Sequence, residues 1–304
     1  MLTQSRWFAL AAVILTAGPA AAQAPSQPVD TLPSCDAWLA NRISGRSLTV
    51  DPRALARLKA AGVSIEPSRR MRAAGYPWEH QILVALPPSY GRTDQRYPVL
   101  WVTDGQFFFS AVTEVVTSCA GKHLPEMIVV AVGATPEADQ ARNEIQSRRT
   151  FDYSPNEVRD FTGFGSELHR ARSEAAERRL KAEGKFGNDR MGGAPRFLAF
   201  IAEDIRGQLA REYRMADDHT LFGHSGGGLF CAYALTARPS TFQRYVCGSP
   251  SPAGAPNPSL QLHARIFPGE SHGSVIPLVL SWGLRCVLEK YPPGQTPSCS
   301  ATAQ

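Results

Sequence analysis

Two short stretches of this chain are apolar at every position, VLWV at 99–102 and MIVVAV at 127–132. A strand with one wet face alternates apolar and polar residues, so unbroken runs mark strands covered by helices on both faces, the habit of parallel sheets. Both runs, and HQILVALPPSY at 80–90, are rich in Val, Leu and Ile and bounded by proline or glycine, and all three read as strands. Between the last two lies FFFSAVTEVVTSCAGK, 107–122, with helical spacing and a glycine stop. Further on, 196–214 sets Phe197, Leu198, Ile201, Ile205 and Leu209 three or four apart, one face of an amphipathic helix. A shorter helix is expected from about Arg53 to Gly62, opened by Pro52. Strand, helix, strand, helix in this order predicts an α/β fold with a mostly parallel sheet and helices on both faces.

The N-terminal pattern differs. Arg6 precedes an apolar run from Trp7 to Ala17, and Ala20, Ala21 and Ala22 follow. This is the layout of a secretory signal, residues 1–22, cut before Gln23, and it predicts an exported, periplasmic protein. The run is well short of the roughly 20 residues that span a bilayer, so no membrane span is expected after cleavage. Residues 23–34 are a polar, Pro-rich leader. The remainder, 35–304, shows neither repeat nor long linker and is expected to be one domain. Within it, about 160–190 is a highly charged insertion, either a solvated helix or a lid over the site.

Charge and cysteines narrow the class. The net charge of +5 comes from scattered Lys and Arg among Asp and Glu, which argues against a nucleic-acid partner. Six cysteines in an exported chain allow up to three disulfides, and none of the spacings suggests a metal site or a metal cofactor. Cys231 and Cys247, each inside an apolar segment, read as buried thiols, while Cys286 and Cys299 flank the Pro-rich exit of the last helix.

The chemistry centres on LFGHSGGGLF, 221–230. Gly223-His224-Ser225-Gly226-Gly227 fits G-x-S-x-G, with the strand HTLF leading in and the apolar helix GGLFCAYALTA leading out. A serine on a sharp strand-to-helix turn has strained backbone angles, and side chains two positions either side would collide with the neighbouring strand and helix. Ser225 is therefore the candidate nucleophile. The amide of Gly226 becomes an oxyanion donor at a helix N-terminus, and the backbone of Gly105 or Gln106, after the strand ending VLWVT, can supply the second. A serine needs a base, and His272 in the glycine-flanked loop FPGESHGS lies downstream in the expected order. His224 sits inside the elbow and is expected to pack behind the turn.

In order along 78–290, VALPPSY, YPVLWVTDGQ, RRTFDYSP, GGAPRFLAFIAEDI, GHSGGGLF, GSPS and FPGESHGSVIP resemble the putative-esterase family of α/β-hydrolases, which includes esterase D-like and enterochelin-type siderophore esterases. The resemblance implies the α/β-hydrolase fold, Ser225 as nucleophile, His272 as base, the DGQ turn at 104–106 in the oxyanion site, and a small-molecule ester as partner. A siderophore ester or a simple acyl ester would then be the substrate.

The chain departs from that pattern where the acid belongs. In most α/β-hydrolases the acid follows a strand between the serine and the histidine, yet only 46 residues lie between Ser225 and His272. GSPSPAGAPNPS, 248–259, holds no carboxylate, and a further strand with its helix needs roughly 30 residues. That unit is expected to be missing. Glu270 is the nearest carboxylate and the candidate acid, though two residues from His272 it needs a tight loop to reach the ring; Asp104 and Asp152 read as structural. RRTFDYSP is expected to be a pocket loop in which Arg148, Arg149 and Tyr153 contact substrate, the arginines holding an anionic group. The leading function is an exported serine hydrolase of carboxylic esters. The alternatives are an acyltransferase with the same site and a catalytically impaired hydrolase that acts as a binding protein.

Overall fold

The computed structural model describes residues 31–32, 34, 52–76, 78–135, 142–155, 182, 192–249, 267 and 275–288. The signal sequence, nearly all of the leader and of the charged insertion, and the segment with Glu270 and His272 lie outside the described residues. The described chain runs α1 (Pro52–Ala60), β1 (Ser64–Ile65), β2 (Arg69–Met71), β3 (His80–Leu86), β4 (Tyr97–Thr103), α2 (Gly105–Cys119), β5 (Ile128–Ala134) and α3 (Arg142–Tyr153). It continues through α4 (Ala194–Ala199), a π-helical stretch (Phe200–Ile205), α5 (Arg206–Glu212), β6 (Met215–His224), α6 (Gly226–Ala237), β7 (Arg244–Gly248) and α7 (Ile276–Leu288).

Seven strands form one sheet in the order β1-β3-β5-β4-β6-β7, with β2 also paired to β3. β4 runs parallel to β5 and β6, and β6 parallel to β7, whereas β3 is antiparallel to β5. The unbroken apolar runs have the cause expected of them. Val99, Trp101, Val130 and Val132 enter one core with Phe197, Ile201 and Phe230 from the α4–α6 side. Leu100, Val102, Val129 and Ala131 point the other way, into a second core with Phe109, Val112 and Leu284. Successive side chains on a strand face opposite sides of the sheet, so a strand buried on both must be apolar throughout.

Three polar arrangements tie the layers together. Arg57 of α1 donates to the buried Glu114 of α2 at 2.8 Å. On β6, the buried His219 accepts a hydrogen bond on Nδ1 from the Trp101 indole at 3.2 Å. Cys231 of α6 is disulfide-bonded to Cys247 of β7, which corrects the expectation of two separate thiols. Both lie in apolar segments, and only the packing of α6 on β7 brings their α carbons to 5.5 Å. Cys119 and Cys286 are disulfide-bonded as well.

The bridge closes a loop between residues 16 apart, so replacing Cys231 and Cys247 by Ala should cost about 3 kcal/mol. A thermal melt should then fall by roughly 6–12 °C, and an unshifted melt would contradict this. The His219 site predicts a pH dependence. Burial first, then the neighbouring Arg206, pushes its imidazole down to about 4. The unfolded chain, titrating near 6.5, takes up a proton that the folded chain refuses. Stability is therefore full above about pH 6.5 and falls as pH drops toward 4, by up to roughly 3 kcal/mol. His219→Gln still offers Trp101 an acceptor but cannot titrate, and denaturant unfolding at pH 7 and pH 4.5 should show a smaller acid loss for the variant.

Candidate active site

β6 ends at His224 and α6 begins at Gly226, leaving Ser225 to make the turn alone, at φ 59° and ψ −119°. A non-glycine residue pays on the order of 1–3 kcal/mol for such backbone angles and keeps them only when its surroundings fix them. They are fixed here at both ends. The Ser225 amide donates to the Gly248 carbonyl of β7 at 3.0 Å, and its carbonyl accepts from Leu229 at 2.9 Å. The flanking glycines have the expected steric role: a Cβ at Gly223 would strike the Gly227 carbonyl, and one at Gly227 would strike the Thr103 hydroxyl of β4. Ser225 is half-buried, and the Gly226 amide lies at the N-terminus of α6 beside it. His224 is buried behind the turn with its ring edge-on to Phe108.

The neighbouring strand ends in the same way. Thr103 closes β4, Asp104 follows at φ 55°, and α2 begins at Gly105. The Phe107 and Phe108 amides donate to the Asp104 carbonyl at 2.8 and 3.1 Å. The amides of Gly105 and Gln106 come before them, at the carboxyl edge of the sheet beside β5. A Cβ at Gly133 would lie 2.8 Å from each of these two nitrogens. The Gln106 side chain accepts from the Ala134 amide at 3.0 Å and so bridges α2 to β5.

RRTFDYSP departs from expectation. Its first six residues form the end of α3 rather than a loop, and they reach into the site from the side. Arg149 grips Asp104 with two bonds, Nε to Oδ1 at 2.5 Å and Nη2 to Oδ2 at 2.8 Å. The Tyr153 hydroxyl donates to Asp104 Oδ1 at 3.1 Å and accepts from the Asp104 amide at 3.0 Å. The Asp104 side chain is 0% exposed and that of Arg149 16%. Burial opposes the Arg149 charge, but the Asp104 carboxylate more than offsets it and holds the guanidinium above its ordinary range. Burial, with Asp104 adding to it, also drives the Tyr153 phenol well up. The group lies against the elbow, since a Cβ at Gly226 would meet Arg149 Nη2 at 3.3 Å and Tyr153 at 3.4 Å.

On the β5 side, Trp78, Gln106, Arg148, Asp152, Tyr153 and Phe197 line a narrow cleft. The Arg148 guanidinium lies 5.5 Å from the Trp78 ring centroid. Asp152 is hydrogen-bonded to His80 at 2.9 Å with both residues buried; burial pushes its carboxyl upward, and His80 and Arg148 oppose that. Asp104 and Asp152 are thus held in structural pairs, as their sequence setting suggested. Gly105, Gln106, Arg148, Arg149, Tyr153, Ser225 and Gly226 meet at one edge of the sheet, whereas His272 and Glu270 lie outside the described residues. Sequence reasoning did not find the Asp104–Arg149 pair or the His80–Asp152 pair, because each joins residues from separate elements.

A mostly parallel sheet with a serine at a sharp strand-to-helix turn, at the end of an interior strand, has the architecture of an α/β-hydrolase. Residues 73–265 match the family described as Putative esterase, and the chain belongs to that family. It is 31% identical over 165 residues to the ferri-bacillibactin esterase BesA of Bacillus subtilis, covering 54% of this chain and 51% of that protein. It is also 31% identical over 161 residues to a siderophore enterobactin esterase of Emericella nidulans, covering 50% and 45%. The chain thus spans about half the length of these relatives. Among solved structures, the siderophore hydrolase EstB of Aspergillus nidulans shares the fold, with a TM-score of 0.52 at 21% identity over 75% of this chain and 96% of that one.

The Asp104–Arg149 pair yields a stability prediction. Arg149→Gln leaves a fully buried carboxylate without its cation and should cost about 3–5 kcal/mol. Asp104→Asn with Arg149→Gln removes both charges and should recover a substantial part of that loss. Denaturant unfolding of the two single variants and the double variant measures the coupling, and strictly additive losses would show that the pair is not a unit.

Proposed function

We propose that the protein is an exported serine esterase that cleaves carboxylic esters through an acyl-Ser225 intermediate. The observation that carries this reading is the left-handed backbone of Ser225, held between glycines that have no room for a side chain. Strain kept at a serine in a strand-to-helix turn, at the carboxyl edge of a parallel sheet, is what a presented nucleophile requires. The family supports ester chemistry, and the siderophore esterases among the relatives support a siderophore ester or its fragments as substrate, with simple acyl esters served by the same chemistry.

In this mechanism the Ser225 hydroxyl attacks the ester carbonyl while His272 takes its proton. The carbonyl oxygen becomes an oxyanion and is met by the Gly226 amide and by the amide of Gly105 or Gln106. Collapse breaks the bond to the alcohol, which leaves with the proton returned by His272. Water then repeats the sequence on the acyl-serine, releasing the acid and restoring Ser225. Ser225 and His272 act as a dyad. Asp104 supports that reading, since this carboxylate, packed against the elbow, is already bound by Arg149 and Tyr153. Glu270, two residues from His272, contributes little. Arg148, stacked on Trp78 at the cleft, is the better placed of the two arginines to meet an anionic part of the substrate, because the Arg149 charge is taken up by Asp104. Export is supported by the N-terminal pattern and by disulfide bonds at Cys119, Cys231, Cys247 and Cys286, which persist in oxidising compartments. Among the described residues no helix is long and apolar enough to cross a membrane.

A fluorophosphonate should label Ser225 in the wild-type protein and leave Ser225→Ala unlabelled. Ester hydrolysis should be abolished in Ser225→Ala and in His272→Ala, while Glu270→Gln should lose less than about tenfold, near 1.4 kcal/mol. A Glu270→Gln enzyme as inactive as Ser225→Ala would overturn the dyad. Full activity in Ser225→Ala would overturn the assignment itself.

A further inference from the structure

Among the described residues three non-glycines have a positive φ: Asp104 at 55°, Ser225 at 59° and Ser249 at 45°. Their positions are not scattered. Each directly follows a strand, β4, β6 and β7 respectively, and these three strands are parallel neighbours in the sheet. All three therefore lie along one carboxyl edge, the edge that carries the nucleophile. The roles of the first two are accounted for by the oxyanion turn and the elbow, and Ser249 is left without one.

Ser249 is placed next to Ser225. His224 and Gly248 are partners in the β6–β7 register, and the Gly248 carbonyl accepts the Ser225 amide at 3.0 Å. The contact is tight, because a Cβ at Gly248 would lie 2.8 Å from both His224 Nδ1 and Val279 Cγ1. It is also covalently braced. Cys247, two residues before Ser249, is bonded to Cys231 in the helix that starts immediately after Ser225. Packing and the disulfide together hold the two serines in a fixed relation. Yet the Ser249 side chain is exposed, and its hydroxyl has no hydrogen-bond partner among the described residues. A strained, braced position whose polar group meets nothing among the described residues is suited to meeting something bound there.

We infer that Ser249 is a specificity-determining residue of the esterase site, its hydroxyl hydrogen-bonding an amide or hydroxyl group of the bound ester on the β7 side of Ser225. The inference rests on the serine-esterase reading above and adds a chemical requirement to it: a substrate carrying a hydrogen-bonding group close to the scissile carbonyl. Such a group can belong to the acyl part or to the alcohol part. On the other flank of Ser225 lie β4 and the oxyanion turn, so Ser249 serves neither as nucleophile nor as oxyanion donor.

The test compares three esters: p-nitrophenyl butyrate, which offers no such group; the p-nitrophenyl ester of N-acetylglycine, with an amide in the acyl part; and the butyrate ester of N-acetylserinamide, with amides in the alcohol part. Ser249→Ala removes the hydroxyl and keeps the backbone demand, whereas Ser249→Gly removes the hydroxyl and relieves the demand, so a folding failure of the first leaves the second readable. Both variants should lower kcat/KM for one of the amide-bearing esters, relative to p-nitrophenyl butyrate, by about tenfold, the scale of one hydrogen bond. The arm that falls identifies which side of the substrate Ser249 meets. A purely structural role lowers all three rates together and leaves the ratios where they were, and that result would overturn the inference. Fluorophosphonate labelling of the wild type separates the two readings: a labelled Ser225 with unmoved ratios sinks only the role of Ser249, while an unlabelled Ser225 removes the esterase reading and this role with it.

Discussion

The close approach of β4, β6 and α6 at the elbow is the constraint on which the site depends. No side chain can be accommodated at Gly223 or Gly227, and the turn left to Ser225 is one that side-chain-bearing residues rarely adopt. The two facts are one: a helix that starts directly on the end of a buried central strand must pass within contact distance of the next strand, here at the Thr103 hydroxyl. Everything with a chemical part in the site is positioned from that crossing. The Gly226 amide is aimed by it, and β7 is drawn in through the bond from Ser225 to Gly248.

The Asp104–Arg149–Tyr153 group performs a comparable service on the β4 side. Asp104 follows its strand in a left-handed conformation, and three hydrogen bonds to its carboxylate and one from its amide hold it there. An uncompensated carboxylate beside an oxyanion site would oppose the negative charge that builds up in acyl transfer. Arg149 neutralises it in place. One helix, α3, thus supplies both the geometric and the electrostatic support of the turn after β4, the proposed oxyanion site. The same helix sends Arg148 and Asp152 toward the adjoining cleft, so the surroundings of the elbow and the neighbouring surface are built on a common element.

The disulfide between Cys231 and Cys247 extends this logic to the far side. It links the helix leaving Ser225 to the strand that flanks it, so the elbow is bounded by a buried ion pair on one side and by a covalent bridge on the other. Both would suit the export proposed above. The ion pair is shielded from salt by burial, and the disulfide persists in an oxidising compartment.

The parts legible in the sequence are those set by local spacing. The apolar runs at 99–102 and 127–132 disclosed a sheet covered on both faces, the glycines around Ser225 disclosed the elbow, and the order of elements disclosed the fold class. These follow from periods of two and 3.6 residues and from side chains that cannot fit, which are properties of neighbouring residues. RRTFDY reads as loop because α3 lacks a clean apolar stripe, and it is packing through Ile145 and Tyr153 that holds it as a helix. Strands as short as β1 and β2 carry no periodic signal. What only the tertiary structure decided is who meets whom: Asp104 with Arg149, His80 with Asp152, Cys231 with Cys247, and Gly248 with Ser225. Each of these meetings joins residues from different elements, and only the packing of helices on the sheet brings such residues into contact.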